Sequence, residues 1–378
     1  MKLPTINYSR LQALALGNRL RVVDVRSPQE FSEDHIPNAQ SIPLFDDDQR
    51  CLVGTLYKKE SPQAAYNQGL EFASERMGEI LNQVLGFSCD ESDWRPRFRA
   101  LIPQVHGLDV TDPEDFRLDN DNLTVVHCWR GGMRSRSLVA LLQSLGHENV
   151  VCLAGGYKGY RGWVRHQLSC LSPETPLIVL RGPTGVGKTK ILQQLEARTP
   201  GSTIDLEGCA GHRSSILGAV GLRPVSQKAF ESSLVARLSM LGDPPWFVEG
   251  ESRKVGDVIV PTQLFAAMEG GDQVHITASQ EHRCNTLAED YLATPGHIAQ
   301  LRERLPFLEK RLGAKWIGKL QEWLDAGNWR QVAETLLEHY YDPLYGHTDS
   351  DREWSAQLNA EDSQLLSRLE EHRAVSSR

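Results

Sequence analysis

Apolar positions along the chain fall into short runs separated by stretches of helical spacing. Leu20-Arg21-Val22-Val23-Asp24-Val25 predicts a buried strand. Ser27-Pro28-Gln29-Glu30 then predicts a helix start, with Ser27 as N-cap, Pro28 at the first helical position and Glu30 completing a capping box. Leu123-Thr124-Val125-Val126 predicts a second strand. Leu138, Leu141, Leu142 and Leu145 then line one face of a helix that ends at Gly146. Asn149 to Leu153 predicts a third strand, closed by Gly155-Gly156. Strands alternating with helices imply a parallel sheet covered on both faces.

The stretch Leu171-Ser172-Pro173-Glu174-Thr175-Pro176 is linker-like, and the pattern restarts after it. Leu177-Ile178-Val179-Leu180 predicts a strand and Thr189 to Arg198 a helix. Gly201 to Leu206 and Pro245 to Glu249 predict further strands. From about Gln280 onward Leu, Glu, Arg and Trp recur at helical spacing. The expected division is therefore 1–170, 171–280 and a helical extension over 281–378. The fold class is α/β, and no internal repeat is visible.

The 378 residues suit two or three domains, and 40% hydrophobic with 24% charged residues is ordinary globular composition. Extensive disorder is thereby excluded. No run reaches the roughly 20 apolar residues of a spanning helix. The first residues lack an apolar core followed by a small-residue cleavage site, so no signal peptide is expected, and the expected compartment is the cytoplasm. Seven cysteines at 51, 89, 128, 152, 170, 209 and 284 form no C-x-x-C pair, which predicts neither a disulfide framework nor a metal site.

The net charge of -8 argues against bulk binding of nucleic acid. Two segments depart from it. His127 to Arg165 holds six Lys or Arg against one acid, and Leu301 to Leu320 holds six against two. Arg161, Arg165, Lys310 and Arg311 are the phosphate-contacting candidates there, with Lys315 and Lys319 beside them. A plain solvated helix face is the commoner origin of such runs.

Gly182-Pro183-Thr184-Gly185-Val186-Gly187-Lys188-Thr189 matches G-x-x-x-x-G-K-[ST] between a predicted strand and a predicted helix. Gly182, Gly185 and Gly187 let backbone N–H groups turn toward phosphate oxygens. Lys188 supplies a point charge, and the Thr189 hydroxyl suits Mg²⁺. The carboxylate that would complete a nucleotide-hydrolysing site is ambiguous among Glu249, Glu251, Asp205 and Glu207. The loop would therefore serve ATP or the diphosphate of another substrate equally.

His127-Cys128-Trp129-Arg130-Gly131-Gly132-Met133-Arg134-Ser135 is the second sharp motif. A strand delivers Cys128 and a helix starts just beyond. The glycine pair lets N–H groups converge on the sulfur, with Arg130 and Arg134 nearby. That field favours a thiolate or a sulfur-bound anion. The spacing fits a chalcogen carrier, and it also fits the H-C-x5-R-[ST] pattern of cysteine phosphatases. Trp129 is either a packing residue or a platform for an extruded base.

Asp24-Val25-Arg26, Glu30-Phe31, His35-Ile36-Pro37-Asn38-Ala39 and Gly155-Gly156-Tyr157 resemble the motifs of the rhodanese fold. A rhodanese-like domain followed by a P-loop domain resembles the bacterial tRNA 2-selenouridine synthases. Gly54-Thr55 with Tyr57-Lys58, Asp205-Leu206-Glu207-Gly208 with His212-Arg213, Glu251-Ser252-Arg253 and Tyr340-Tyr341-Asp342-Pro343 extend the resemblance over nearly the whole chain. The stretch 87–117, acidic and containing Trp and Pro, departs from it.

The resemblance implies replacement of the 2-thio sulfur of a wobble uridine by selenium. Selenophosphate would be the donor, and an S-geranylated base formed from geranyl diphosphate the intermediate. It makes Cys128 the cysteine required for selenation and links Gly69 to the active site. It raises His212 and Arg213 to phosphate ligands opposite Lys188, and it adds Glu251 and Arg253. The implied partners are the anticodon stem-loop of tRNA and an enzyme that makes selenophosphate, with no membrane involved. Competing classes are a thiosulfate-type sulfurtransferase fused to an ATPase, a cysteine-dependent phosphatase and a nucleotide-gated binding module.

Overall fold

A computed structural model of the chain describes residues 3–15, 20–107, 110–111, 122–345 and 352–376. The chain forms two compact units, Met1–His166 and Gln167–Arg378. No helix among the described residues is long and apolar enough to cross a membrane.

In the first unit, six strands form one parallel sheet. They are β1 (Leu3–Ile6), β2 (Arg21–Asp24), β3 (Gln40–Ser41), β4 (Val110–Thr111), β5 (Thr124–His127) and β6 (Val150–Leu153), in the order β3-β2-β5-β6-β1-β4. The central strands read as Val runs because both of their faces are covered. Val23, Val125, Val126 and Leu153 are all inaccessible to solvent. The helix Pro28–Glu33 starts with the expected capping box, Ser27 accepting from the Glu30 N–H. The long helix Pro62–Leu85 and the helix Met133–Ser144 pack in the same core.

The departing stretch 87–117 lies partly outside the described residues. Its described part includes the helix Glu91–Leu101, with Trp94 and Phe98 buried in that core, and β4. Trp94 and Phe98 thus complete the core, and the stretch is more than a connection.

The second unit carries a parallel sheet of β7 (Leu177–Arg181), β8 (Thr203–Ile204), β9 (Trp246–Glu249), β12 (Asp272–Thr277) and β13 (Ala356–Asn359), ordered β13-β12-β7-β9-β8. A small hairpin joins β10 (Lys254–Val255) and β11 (Val258–Ile259). Two results differ from the sequence reading. The strand expected over Gly201 to Leu206 covers only Thr203–Ile204, because Asp205 caps a short helix, accepting from the Gly208 N–H at 2.6 Å. Residues 281–378 are mostly helical, as expected, but β13 among them extends the sheet beside β12. An edge strand of four half-exposed residues has too little alternation to stand out from helical flanks. The remaining helices bury Leu301, Leu305, Leu308 and Tyr341 in a core of their own.

Candidate active site

Strand β5 ends in the fully buried His127 and delivers Cys128 into a tight loop. Gly131 takes φ +64, and an added Cβ would meet the Leu153 carbonyl oxygen at 2.7 Å, so only glycine fits. The loop closes over the sulfur. The Gly132 N–H and the Ser135 hydroxyl each donate to Cys128 Sγ at 3.3 Å. The helix Met133–Ser144 starts at that point. Burial opposes ionisation of the thiol. The Arg134 charge, the Ser135 hydroxyl and N–H groups of Ser135 and Arg130 outweigh it, and the Cys128 pKa is lowered. The side chain of Arg130 is exposed. Arg134 also donates to Glu30 Oε2 at 3.1 Å.

A buried network supports the loop from beneath. Asp24 and Arg26 form an ion pair of which both side chains are buried. The Arg26 guanidinium lies 3.8 Å from the centre of the Tyr157 ring, and the Tyr157 hydroxyl donates to Asp34 at 2.7 Å. The Tyr157 N–H donates to the Cys128 carbonyl at 2.9 Å, which ties the network to the nucleophile. Burial pushes His127 down to about 4, so its imidazole is neutral at pH 7. Cys152 lies in the same core, and burial pushes its thiol up to about 12. The two cysteines therefore differ in environment as the sequence reading expects.

A cavity of about 700 Å³ adjoins the loop. Trp129, Arg130, Met133 and Arg134 form one wall, and residues of the helices Asp47–Lys59 and Pro62–Leu85 form others. Gly69 lines it; a Cβ there would stand 3.3 Å from the Phe45 ring. Trp129 is half-buried with its ring 5.3 Å from that of Tyr157.

In the second unit, Gly182, Gly185 and Gly187 take φ +149, +85 and +86. The turn before the helix Lys188–Arg198 depends on them. Lys188 Nζ donates to the Gly182 carbonyl at 3.0 Å, folding over the loop. The Thr189 hydroxyl donates to Glu207 Oε2 at 2.9 Å, and the Glu207 N–H donates to Glu249 Oε1 at 2.7 Å. The ambiguous carboxylates of the sequence thus converge. Glu249 ends β9 fully buried, while Glu207 and Glu251 face the loop's cavity of about 250 Å³. Burial, with Glu251 and Asp205 adjoining, raises the Glu207 carboxyl.

Arg213 lines this cavity and stands 3.7 Å from Asp290. His212 does not line it. Its ring packs under Gly256, where an added Cβ would come within 2.6 Å. Arg253 is exposed and donates to Thr262 Oγ1 at 3.3 Å, also outside the cavity. His212, expected at a phosphate, and Arg253 thus both stand outside the residues that line the cavity.

Arg161 requires a further correction. It is buried, 3.7 Å from Asp34, and so belongs to the network under Cys128 instead of an RNA-facing surface. Arg165, Lys310 and Arg311 are exposed. Sequence reasoning also missed Arg283. Its guanidinium donates to the Thr184 carbonyl at 2.7 Å and to Asp342 Oδ2 at 3.1 Å, bracing the phosphate loop. The Tyr340-Tyr341-Asp342-Pro343 motif carried that signal, without naming its partner.

A cysteine ringed by donors on a rhodanese-type sheet, joined in one chain to a P-loop domain, defines a two-part α/β enzyme. Residues 8–86 and 90–162 match the rhodanese-like domain, and residues 175–375 match the tRNA 2-selenouridine synthase AAA domain. Among curated relatives, the tRNA 2-selenouridine synthase of Pseudomonas syringae pv. syringae is 30% identical, over 97% of this chain and 98% of its own. Those of Nitrosomonas europaea and Pseudomonas syringae pv. tomato are 27% and 31% identical, over 91% and 90% of this chain and 93% and 91% of theirs. The chain belongs to the tRNA 2-selenouridine synthase family, a family of enzymes.

Proposed function

We propose that this enzyme replaces the 2-thio sulfur of a tRNA wobble uridine with selenium from selenophosphate, through an S-geranyl-2-thiouridine made from geranyl diphosphate. The observation that carries the reading is the lowered Cys128 thiol, ringed by hydrogen-bond donors, in a chain of this family.

The phosphate loop suits the first step. Its N–H groups and Lys188 hold the diphosphate, and the base sulfur attacks the allylic carbon. The C–S bond forms as the C–O bond breaks, its electron pair leaving with diphosphate, and the N3 proton of the base passes to solvent. A magnesium ion there would be held by Thr189 and Glu207, whose oxygens fit a hard cation, and would neutralise charge on the leaving group. Arg213 adds a second cation at the cavity wall.

The cysteine loop suits the second step, in which Cys128 orients the selenium species. Selenium adds to C2 and expels the thiolate, which takes up a proton. Water then attacks phosphorus, and the P–Se electron pair stays on selenium. A phosphatase reading is weakened by Arg134, whose guanidinium is engaged by Glu30. The RNA partner is the anticodon stem-loop, met by Arg165, Lys310 and Arg311. An enzyme producing selenophosphate would supply the donor, and the cytoplasm is the compartment where tRNA is found.

The test incubates the full chain with thiolated tRNA, geranyl diphosphate and selenophosphate, followed by mass spectrometry of nucleosides. Wild type should yield first the geranylated and then the selenated base. Lys188→Ala should block the first product, and Cys128→Ala should stop at it. Selenation by Cys128→Ala at the wild-type rate would remove the cysteine from the mechanism.

A further inference from the structure

The phosphate loop has a support that lies outside its own motif. Arg283, on the helix Gln280–Tyr291, is buried, and its backbone closes on Gly185, where an added Cβ would stand 2.9 Å from the Arg283 carbonyl oxygen. Its Nε donates to the Thr184 carbonyl at 2.7 Å, and both terminal nitrogens donate to the Asp342 carboxylate. Thr184 and Gly185 line the loop's cavity, and Arg283 is not among the lining residues. A trans peptide is planar, with its C=O and N–H on opposite sides. A Thr184 carbonyl held on Arg283 therefore turns the Gly185 N–H away from Arg283. Gly185 takes φ +85, and among the described residues no backbone carbonyl takes up its N–H.

We propose that Arg283 is a positioning residue of the phosphate site: by holding the Thr184 carbonyl it presents the Gly185 N–H to the diphosphate of the substrate. The inference rests on the loop's holding a diphosphate, as proposed above, and adds a residue from outside the motif. A donor fixed in advance and left free suits a phosphate oxygen. Asp342 anchors the guanidinium from 59 residues further on, so the Tyr340-Tyr341-Asp342-Pro343 motif serves the same site. On the helix of Arg283, Thr286, Leu287, Asp290 and Tyr291 follow on the same face and line the cavity. One helix face thus both sets the loop and walls the site.

Arg283→Met and Arg283→Gln separate the tie to Thr184 from the ion pair. Gln carries its amide nitrogen as many bonds from Cα as the Arg Nε and can donate to Thr184, whereas Met has a methyl group at that place. Both lose the charge paired with Asp342, which is partly in water and tolerates the loss. Titration of the full chain with inorganic diphosphate should show affinity lower by about tenfold or more for Arg283→Met, the scale of one hydrogen bond to a charged group. Arg283→Gln should stay within about threefold of wild type. A merely structural ion pair would lower both thermal midpoints alike without separating the two affinities.

Thr184-Gly185 is the one Thr-Gly pair in the sequence, so isotope labels on the threonine carbonyl carbon and the glycine nitrogen isolate this peptide by NMR. Diphosphate should move its amide resonance in wild type and in Arg283→Gln, and much less in Arg283→Met. Equal affinity and equal response in all three proteins would overturn the role of Arg283 and leave the diphosphate site standing. Arg283→Gln, folded and binding as weakly as about tenfold below wild type, would overturn it too, whether or not Arg283→Met folds. Absence of diphosphate binding by wild type would overturn the first step of the proposed function itself.

Discussion

The Ser135 hydroxyl lies 3.3 Å from the Cys128 sulfur and donates to it, although Ser135 is itself fully buried. A hydroxyl so placed stabilises the thiolate more than the thiol. Ser135→Ala should therefore move the ionisation of Cys128 to higher pH. The measurement is the pH dependence of alkylation by a small haloacetamide, read by peptide mass spectrometry at Cys128. Wild-type Cys128 should react at a lower pH than Cys152, whose thiol burial pushes up to about 12, and the variant should fall between them. Identical profiles for wild type and variant would show that the hydroxyl does not support the anion.

Gly182 and Lys188 separate structure from binding in the phosphate loop. Gly182→Ala would place a Cβ 2.2 Å from the Ile276 carbonyl oxygen at φ +149. A backbone clash of that kind should cost about 2 kcal/mol or more of stability. Lys188→Ala removes only a half-buried ammonium folded on the Gly182 carbonyl. Its thermal midpoint should stay near wild type, while titration with inorganic diphosphate should show affinity falling at least tenfold. Equal affinity in the two proteins would detach Lys188 from the ligand.

Exposed and buried arginines should behave differently toward tRNA. Lys310→Glu with Arg311→Glu should weaken binding and lower the slope of log affinity against log salt by about 2. Arg161→Gln should leave that slope unchanged, because Arg161 faces Asp34 and not solvent. Filter binding at several salt concentrations decides the matter. A slope that drops for Arg161→Gln would restore it to the interface.

Contiguous chemistry was legible in the amino-acid sequence. The phosphate loop and the cysteine loop each lie within a dozen residues, so glycine spacing alone conveys their shape. The capping box at Ser27 was legible for the same reason. Features assembled from distant segments were not. The apolar cavity draws Phe45, Leu70, Phe98 and Trp129 from four separate elements, and each alone reads as an ordinary core residue. Arg283 reaches Thr184, 99 residues earlier in the chain, and nothing near Arg283 in sequence announces it. A basic run looks the same whether its arginines meet water or a buried carboxylate, which is why Arg161 and Arg165 could not be told apart.

His127 links the site to acid stability. Its ring is fully buried, with Nε2 3.7 Å from the Asp24 carboxylate, and burial outweighs that charge, holding its pKa at about 4 against 6.5 when unfolded. Between those values the unfolded chain takes up a proton that the folded chain refuses. Stability from this group is therefore complete above pH 6.5 and is lost as pH falls toward 4, by about 3 kcal/mol in all. His127→Leu removes the titration and keeps an apolar side chain in the same core. Hydrogen exchange in β5 and β6 reports the first unit alone. Between pH 7 and 4.5 wild-type opening free energies should fall more steeply than those of the variant, after correction for the intrinsic exchange rate. Parallel curves would mean that the imidazole ionises without resistance, and the neutral ring beneath the cysteine loop would have to be abandoned.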